Sequence, residues 1–520
     1  VRMRAGIILV GLVLVAGCST VVTGTPTAGK VQRSGPAGAV PAGLEQFYSQ
    51  ALVWSGCPQF ATDDESRQAF AGRGLQCATM RVPLDYAKPD GPAATIGLLR
   101  RPADDQQHKV GSLVINPGGP GASGMSAAAG LYSSDSKAEV FKRFDLVGFD
   151  PRGVGVSSPK VHCLTDQETD RQRLEPPTTD VAKIEAENKD YAAKCTQRTG
   201  ADVLATVGTR DVARDMDVMR SVLGDQKLTY LGFSYGTRIG TEYAQQFPQS
   251  VRAMVLDGAV DPDADQLDEQ IGQAKGFDGA IKDFIKWCVA RADCALGHDA
   301  GAAQTKLEQL VNPLKTRPVA VGDRQLSFSD AATGIIQAMY SNQLWEPLNT
   351  GLTELAQGQG RVLMILADAY LGRGQDGHYS NLQDAFTAIN CVDQPQLKDR
   401  AEVQKETEQL AEAAKGTFLD EAQPPVPALD VCAFWPVPPT SVPHRPAVTG
   451  LAPVLVISTT GDPATPYQSG VDLADALHGG LLTFQGTQHT AFLQGNECVD
   501  DAASSYLIDL KMPAEGTRCS

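Results

Sequence analysis

The stretch Lys227 to Gly240 constrains this chain more than any other. Leu228 to Leu231 is an apolar run that reads as a buried strand, and Thr237 to Gln246 can form a helix. Between them lies Gly232-Phe233-Ser234-Tyr235-Gly236. Strand, sharp turn and helix in that order present one serine at an exposed corner, and the flanking glycines remove side chains that would crowd it. Taken alone, the pattern also fits a serine in an ordinary strand-to-helix turn. A serine hydroxyl is a poor nucleophile unless a base is held beside it, so the rest of the chain decides its meaning.

Asn116-Pro117-Gly118-Gly119-Pro120-Gly121 directly follows the apolar run Ser112 to Asn116. Glycines there let backbone N–H groups approach a substrate oxygen, and the amide after the nucleophile, that of Tyr235, supplies a second donor. A base working near neutral pH should be histidine. Of the histidines at 108, 162, 298, 378, 444, 478 and 489, only His489 sits just past a late apolar strand. Asp462 follows the run Pro453 to Thr459 and is the candidate acid; Asp257, at the end of Ala253 to Leu256, is a weaker one. Ser234, Asp462 and His489 then follow the serine, acid, histidine order of the α/β-hydrolases. The sequence has no HExxH zinc motif, no CxxC pair and no GxxxxGK[ST] phosphate loop, so neither metal nor organic cofactor is expected. A serine at the turn, rather than aspartate, disfavours haloalkane dehalogenase or epoxide hydrolase chemistry.

The strand-like runs at 112–116, 144–149, 228–231, 253–256, 453–457 and 481–484 are short and continuous, as in a parallel sheet buried on both faces. Val212, Met216, Met219 and Leu223 recur at helical spacing between two of them. The expected fold class is therefore α/β, a three-layer core with a mostly parallel sheet. From Val260 to Gly450 the rhythm changes to helical runs and Pro-rich loops, which reads as a mainly helical cap inserted into one core. The expected division is 44–260 and 450–520 for the core and 261–449 for the cap.

Residues 1–17 combine Arg2 and Arg4 with an apolar run too short to span a bilayer, as in a signal peptide. Leu14-Val15-Ala16-Gly17-Cys18 resembles a bacterial lipoprotein signal, which implies lipidation at Cys18 and a membrane anchor. Residues 18–43 are rich in Gly, Pro, Thr and Ala and read as a flexible tether. Ten further cysteines remain, at 57, 77, 163, 195, 288, 294, 391, 432, 498 and 519. An even number in an exported chain suggests disulfides; pairing of sequence neighbours is one of many connectivities open to them. A formal charge of −16 on 520 residues, without a basic block, argues against a nucleic-acid partner. Oligomeric state is not legible.

The motifs Val114 to Gly121, Gly148-Phe149-Asp150-Pro151-Arg152-Gly153, Gly232 to Thr237, Asp462-Pro463-Ala464-Thr465-Pro466 and Gln488-His489-Thr490 together carry a resemblance. From about Trp54 to Cys519 the chain resembles the α/β-hydrolase family of prolyl and tripeptidyl aminopeptidases. More narrowly, it resembles secreted actinobacterial tripeptidyl aminopeptidases and lipid-anchored serine proteases of the mycobacterial envelope. The resemblance implies an exported, envelope-bound peptidase acting on peptide or protein substrates. It implies Ser234 as nucleophile, His489 as base, Asp462 as orienting acid, and the amides of Gly118 and Tyr235 as the oxyanion site. Pro117 stands where many relatives have histidine, which leaves the loop amides in place but removes an orienting side chain. An exopeptidase must recognise the substrate ammonium, which a carboxylate can do; Asp393, with Asn390, is the candidate in the cap, a purely structural role for Asp393 being the alternative, and Cys391 is a candidate to pin that segment through Cys432. Thr465, Phe434 and Trp435 are candidates to line substrate pockets. An esterase or lipase using the same triad is the nearest alternative, and a noncatalytic envelope-binding protein the more distant one.

Overall fold

A computed structural model describes residues 29–134, 137–418, 420 and 425–520. The signal peptide and Cys18 lie outside the described residues. The core is a nine-stranded sheet. Its strands are β1 (Gln76–Pro83), β2 (Ala93–Arg101), β3 (Gly111–Asn116), β4 (Phe144–Asp150), β5 (Leu228–Phe233), β6 (Val251–Asp257), β7 (Leu455–Thr459), β8 (Gly480–Phe484) and β9 (Arg518–Cys519). Across the sheet they run β9-β8-β7-β6-β5-β3-β4-β2-β1. All ladders from β4 to β9 are parallel, and β2 is antiparallel to both its neighbours.

Alternate residues of the central strands feed two separate cores. Val114, Tyr230, Met254 and Val456 face one side, with Met216 and Met219 of the helix Thr209–Leu223 and Ile239 and Tyr243 of the helix Tyr235–Gln246. Ile115, Leu231, Val255 and Ile457 face the other, with Met125 and Ala128 of the helix Gly124–Ser134 and Ala503 and Leu507 of the helix Glu497–Asp509. Burial on both faces is why these strands read as unbroken apolar runs. The register aligns Asn116 with Gly232, Phe233 with Asp257, Asp257 with Ile457, and Thr459 with Phe484. One edge of the sheet thus collects the loops after β3, β5, β6, β7 and β8.

Between β6 and β7 the chain forms helices that include Gln266–Val289, Phe328–Met339, Trp345–Ala356, Arg361–Leu371 and Leu382–Asp393. Asp265 caps the first of these by accepting from Asp268 N, and Ser327 with Asp330 forms a capping box on the second. Phe277, Phe284, Phe328, Trp345, Leu352 and Leu363 give this region its own apolar cluster.

Two sequence expectations are corrected. The tether was expected to reach residue 43, but Lys30–Gln32 pairs antiparallel with Leu52–Trp54. Beyond that strand, Ala37 is buried, its N–H donating to Ser221 Oγ at 3.0 Å and its carbonyl accepting from Arg220 at 2.9 Å. Backbone hydrogen bonds to a buried serine and a buried arginine fix a segment whose composition alone reads as loose. The sheet, expected to close at Leu481 to Phe484, gains β9, fastened by the disulfide Cys498–Cys519. The other bridges are Cys57–Cys77, Cys163–Cys195, Cys288–Cys294 and Cys391–Cys432. No helix among the described residues is long and apolar enough to cross a membrane.

The helix Gly124–Ser134, which follows the Gly/Pro loop, lies directly on β4. A Cβ at Gly148 would sit 2.0 Å from the Gly124 carbonyl oxygen. Backbone on both sides leaves no flexible atom to yield. Gly148→Ala should therefore destabilise the protein by about 3 kcal/mol or more. Denaturant unfolding measures this, and an unchanged midpoint would refute the contact.

Candidate active site

Ser234 occupies the corner between β5 and the helix Tyr235–Gln246, with φ 54° and ψ −128°. A positive φ on serine is strained by about 1–3 kcal/mol and persists only where neighbours over-determine it. Those neighbours are visible. Ser234 N donates to the Asp257 carbonyl at 2.9 Å, and Thr237 N and Oγ1 donate to the Ser234 carbonyl at 2.8 and 2.7 Å. A Cβ at Gly232 would lie 2.4 Å from the Gly236 carbonyl oxygen, and one at Gly236 would lie 2.6 Å from that of Asn116. The glycines are required by close backbone approach.

The Gly/Pro loop presses on this turn. Gly118 has φ +92°, and a Cβ there would meet Phe233 O at 2.5 Å and Ser234 Cβ at 2.9 Å. Its N–H, however, donates to the buried Asn116 Oδ1 at 2.9 Å. The expected role of Gly118 as an oxyanion donor is therefore corrected: that amide is already engaged by a neighbouring side chain. Gly119 is the loop glycine that lines a cavity of about 350 Å³ together with Ser234 and Tyr235. Among the described residues no group accepts from the amides of Gly119 or Tyr235.

His489 and Asp462 meet. Nδ1 of His489 lies 2.8 and 2.9 Å from the two Asp462 oxygens. Asp462 is buried, and its Oδ1 also accepts from Ala464 N and Thr465 N, each at 2.9 Å. The carboxylate is fully satisfied and fixed. His489 is held from the cap as well: its N–H donates to the Tyr340 carbonyl at 2.9 Å, and the two rings pack edge to face at 5.5 Å. Burial pulls the imidazole pKa down, but the charge and hydrogen bond of Asp462, with the charge of Asp257, outweigh it and the net shift is upward. Nε2 is buried and has no hydrogen-bond partner, so the link from His489 to Ser234 is not closed in this structure. An imidazole anchored at Nδ1 by a carboxylate, with Nε2 uncommitted, can accept a proton there.

Asp257 does not hydrogen-bond His489. Its Oδ2 accepts from Ala491 N at 2.9 Å and Phe492 N at 2.8 Å, steadying the loop that carries the histidine. Its Oδ1 has no partner, and burial raises its pKa to about 7.

The expected subsites divide. Thr465 and Asn390 line the cavity with Ser234. Asp393 does not: it is wholly buried, accepting from Thr209 N at 2.9 Å and Tyr235 OH at 3.0 Å. A carboxylate so enclosed is out of reach of a substrate ammonium, and that expectation is corrected. Trp435 is buried in the core cluster with Ile389 and Val392, and Phe434 packs against the same cluster; neither lines the cavity, although Cys432 of the same turn does, and that expectation is corrected. Sequence reasoning missed Glu269, Arg238 and Tyr340, all of which line it. Glu269 is half-buried; burial raises its carboxyl pKa to about 7, partly opposed by the charge of Arg238. It sits one turn inside a cap helix whose pattern looks like any amphipathic helix, so nothing in the sequence marked it. Among the described residues no group of three or more His, Cys, Asp or Glu is arranged to hold a metal ion.

Residues 111–496 match the family model described as alpha/beta hydrolase fold. The chain is 47% identical over 491 residues to the serine protease Hip1 of Mycobacterium tuberculosis, covering 91% of this chain and 92% of that one. It is 43% identical over 521 residues to carboxylesterase B of the same species, covering 99% and 96%. It is 31% identical over 462 residues to the tripeptidyl aminopeptidase of Streptomyces lividans, covering 86% and 84%. With this likeness running nearly end to end, the chain belongs to the α/β-hydrolase family and is a serine hydrolase.

Proposed function

We propose that this protein is an exported serine peptidase that releases tripeptides or other short peptides from free N-termini. Ser234 is the nucleophile, His489 the base and Asp462 the orienting acid. Ser234 Oγ attacks the scissile carbonyl carbon as His489 Nε2 takes the hydroxyl proton. The carbonyl oxygen, now an oxyanion, rests on the amides of Gly119 and Tyr235. Collapse breaks the C–N bond, and His489 gives its proton to the leaving amine. Water, deprotonated by the same nitrogen, attacks the acyl ester; its collapse releases the carboxylic acid and returns the proton to Ser234.

The observation that carries this reading is the half-buried carboxylate of Glu269 in the same cavity as Ser234. A carboxylate at a distance from the nucleophile suits a substrate that carries an ammonium group a few residues from its scissile bond. We assign to Glu269 the role first given to Asp393. The protease and tripeptidyl aminopeptidase relatives support the same reaction. Export is supported by the five disulfides, which suit an oxidising compartment. Anchoring through Cys18 on the outer face of the membrane rests on the signal sequence. A second reading, carboxylester hydrolysis, is favoured by the carboxylesterase relative and would use the same triad.

A fluorophosphonate probe should label the wild-type protein and not Ser234→Ala. Cleavage of an unblocked tripeptide amide should be lost when its amine is acetylated; preference for a simple carboxylic ester would instead favour the esterase reading. Asp462→Asn should lower kcat by about 10³–10⁴, because the imidazole loses both its orientation and the partner of its charged form.

Glu269→Gln should raise KM for free-amine peptides by roughly ten- to a hundredfold and leave N-acylated substrates unchanged. With the Glu269 carboxyl raised to about 7 by burial, it is charged above neutrality and protonated below. In the wild type, KM for free-amine peptides should therefore climb as pH falls through 7. A KM–pH profile identical in wild type and Glu269→Gln would remove Glu269 from this role.

A further inference from the structure

We propose that Asp393 is a positioning residue that holds the oxyanion amide of Tyr235 in place through the tyrosine's own side chain. This rests on the peptidase reading above, in which that amide stabilises the oxyanion.

Asp393 ends the cap helix Leu382–Asp393 and is wholly buried. Its two oxygens collect donors from three directions. Thr209 N lies 2.9 Å from Oδ1 and 3.2 Å from Oδ2, Thr209 Oγ1 also donates to Oδ2, and Tyr235 OH reaches Oδ2 at 3.0 Å. Thr209 opens the helix Thr209–Leu223, so the carboxylate sits at a helix N-terminus, where the dipole favours negative charge. Glycine precedes it for a steric reason: a Cβ at Gly208 would lie 2.7 Å from Asp393 Oδ1. The backbone carbonyl of Asp393 accepts from Arg238 at 2.8 Å, one turn along the helix that Tyr235 begins. One residue of the cap therefore grips both the first residue of the nucleophile helix and the next turn of it.

The grip is itself anchored. Cys391 is bridged to Cys432, and the Val392 carbonyl accepts from Thr440 N at 2.7 Å. Tyr235 is thus fixed at its phenol end by Asp393 of the cap and by Thr209 Oγ1, 2.5 Å away and itself bonded to Asp393, and at its backbone end by the strained corner of Ser234.

A buried carboxylate is a poor way to gain stability, because desolvation offsets most of what its partners contribute. Burial raises the Asp393 pKa, and the Thr209 and Tyr235 hydrogen bonds and the charge of Arg238 act against that rise. An apolar side chain would fill the same space more simply. What an apolar residue would not do is fix the phenol, and with it the direction of an amide that has no other partner. Oxyanion donors work only when aimed at the position the charge will occupy, so their orientation must be set before the substrate arrives.

The test is a double-mutant cycle on the full chain with Asp393→Asn and Tyr235→Phe. Active sites are counted by fluorophosphonate labelling carried to completion, so misfolded protein does not enter kcat. Each single variant should lose about tenfold or more in kcat per labelled site, with KM within about twofold of wild type. The double variant should fall no further than the worse single, because both changes cut one linkage. Tyr235→Phe keeps the Thr209 donors on Asp393, so it decides the question even where Asp393→Asn fails to fold. Unchanged kcat per labelled site in Tyr235→Phe, or losses that multiply in the double variant, would overturn the proposal. Wild-type protein that is neither labelled nor active on peptides would instead overturn the peptidase reading itself.

Discussion

Everything at this site depends on a backbone contact too close for any side chain. The carbonyls of Asn116, Phe233 and Gly236 crowd the corner of Ser234 at distances that a Cβ on Gly118, Gly232 or Gly236 would occupy. That crowding holds serine at a positive φ and lays the loop 116–121 against the start of the following helix. The nucleophile and both candidate amide donors are consequently parts of one rigid body. A larger residue at any of the three glycines would separate the hydroxyl from the amides and leave the rest of the sheet intact.

Three buried carboxylates surround this body, and partners rather than residue type divide their work. Asp462 accepts from three backbone amides and faces His489 Nδ1, which fixes the carboxylate beside the imidazole. Asp257 accepts from the amides of Ala491 and Phe492, while its own carbonyl takes the amide of Ser234. It therefore ties the serine corner to the histidine loop without touching the imidazole. Asp393 ties the same corner to the cap. Strand adjacency brings the serine and histidine loops near one another, and these carboxylates set the distance within that neighbourhood.

The strand-turn-helix around Ser234, the Gly/Pro loop and the runs that became β3 to β8 were legible because a doubly buried sheet demands continuous apolar segments and a close corner demands glycine. The antiparallel pair β1 and β2 was not, because it offers no continuous apolar run: in β1 the exposed Thr79 and Arg81 alternate with the buried Ala78, Met80 and Val82. The cap's site residues were illegible for a related reason. A helix pattern identifies an apolar stripe, but Glu269 and Asp393 lie on helices where one carboxylate opens to the cavity and the other is sealed behind Tyr235. Only tertiary packing distinguishes them. Gly118 and Gly119 failed in the same way: adjacent glycines in one motif differ because Asn116 folds back on the first.

The cap is more than a lid over a finished site. It supplies the carbonyl of Tyr340 that takes the His489 amide, the ring that packs on the imidazole, and the carboxylate that takes the Tyr235 phenol. Groups on both the base and the nucleophile helix are therefore fixed from the inserted region. The sheet edge alone would present serine, acid and histidine on loops with fewer constraints, and small displacements of such groups are costly to catalysis. An insertion that both completes the alignment and walls the cavity links substrate selection to catalytic geometry: a change in the cap that alters which peptides fit will also move the groups that cut them.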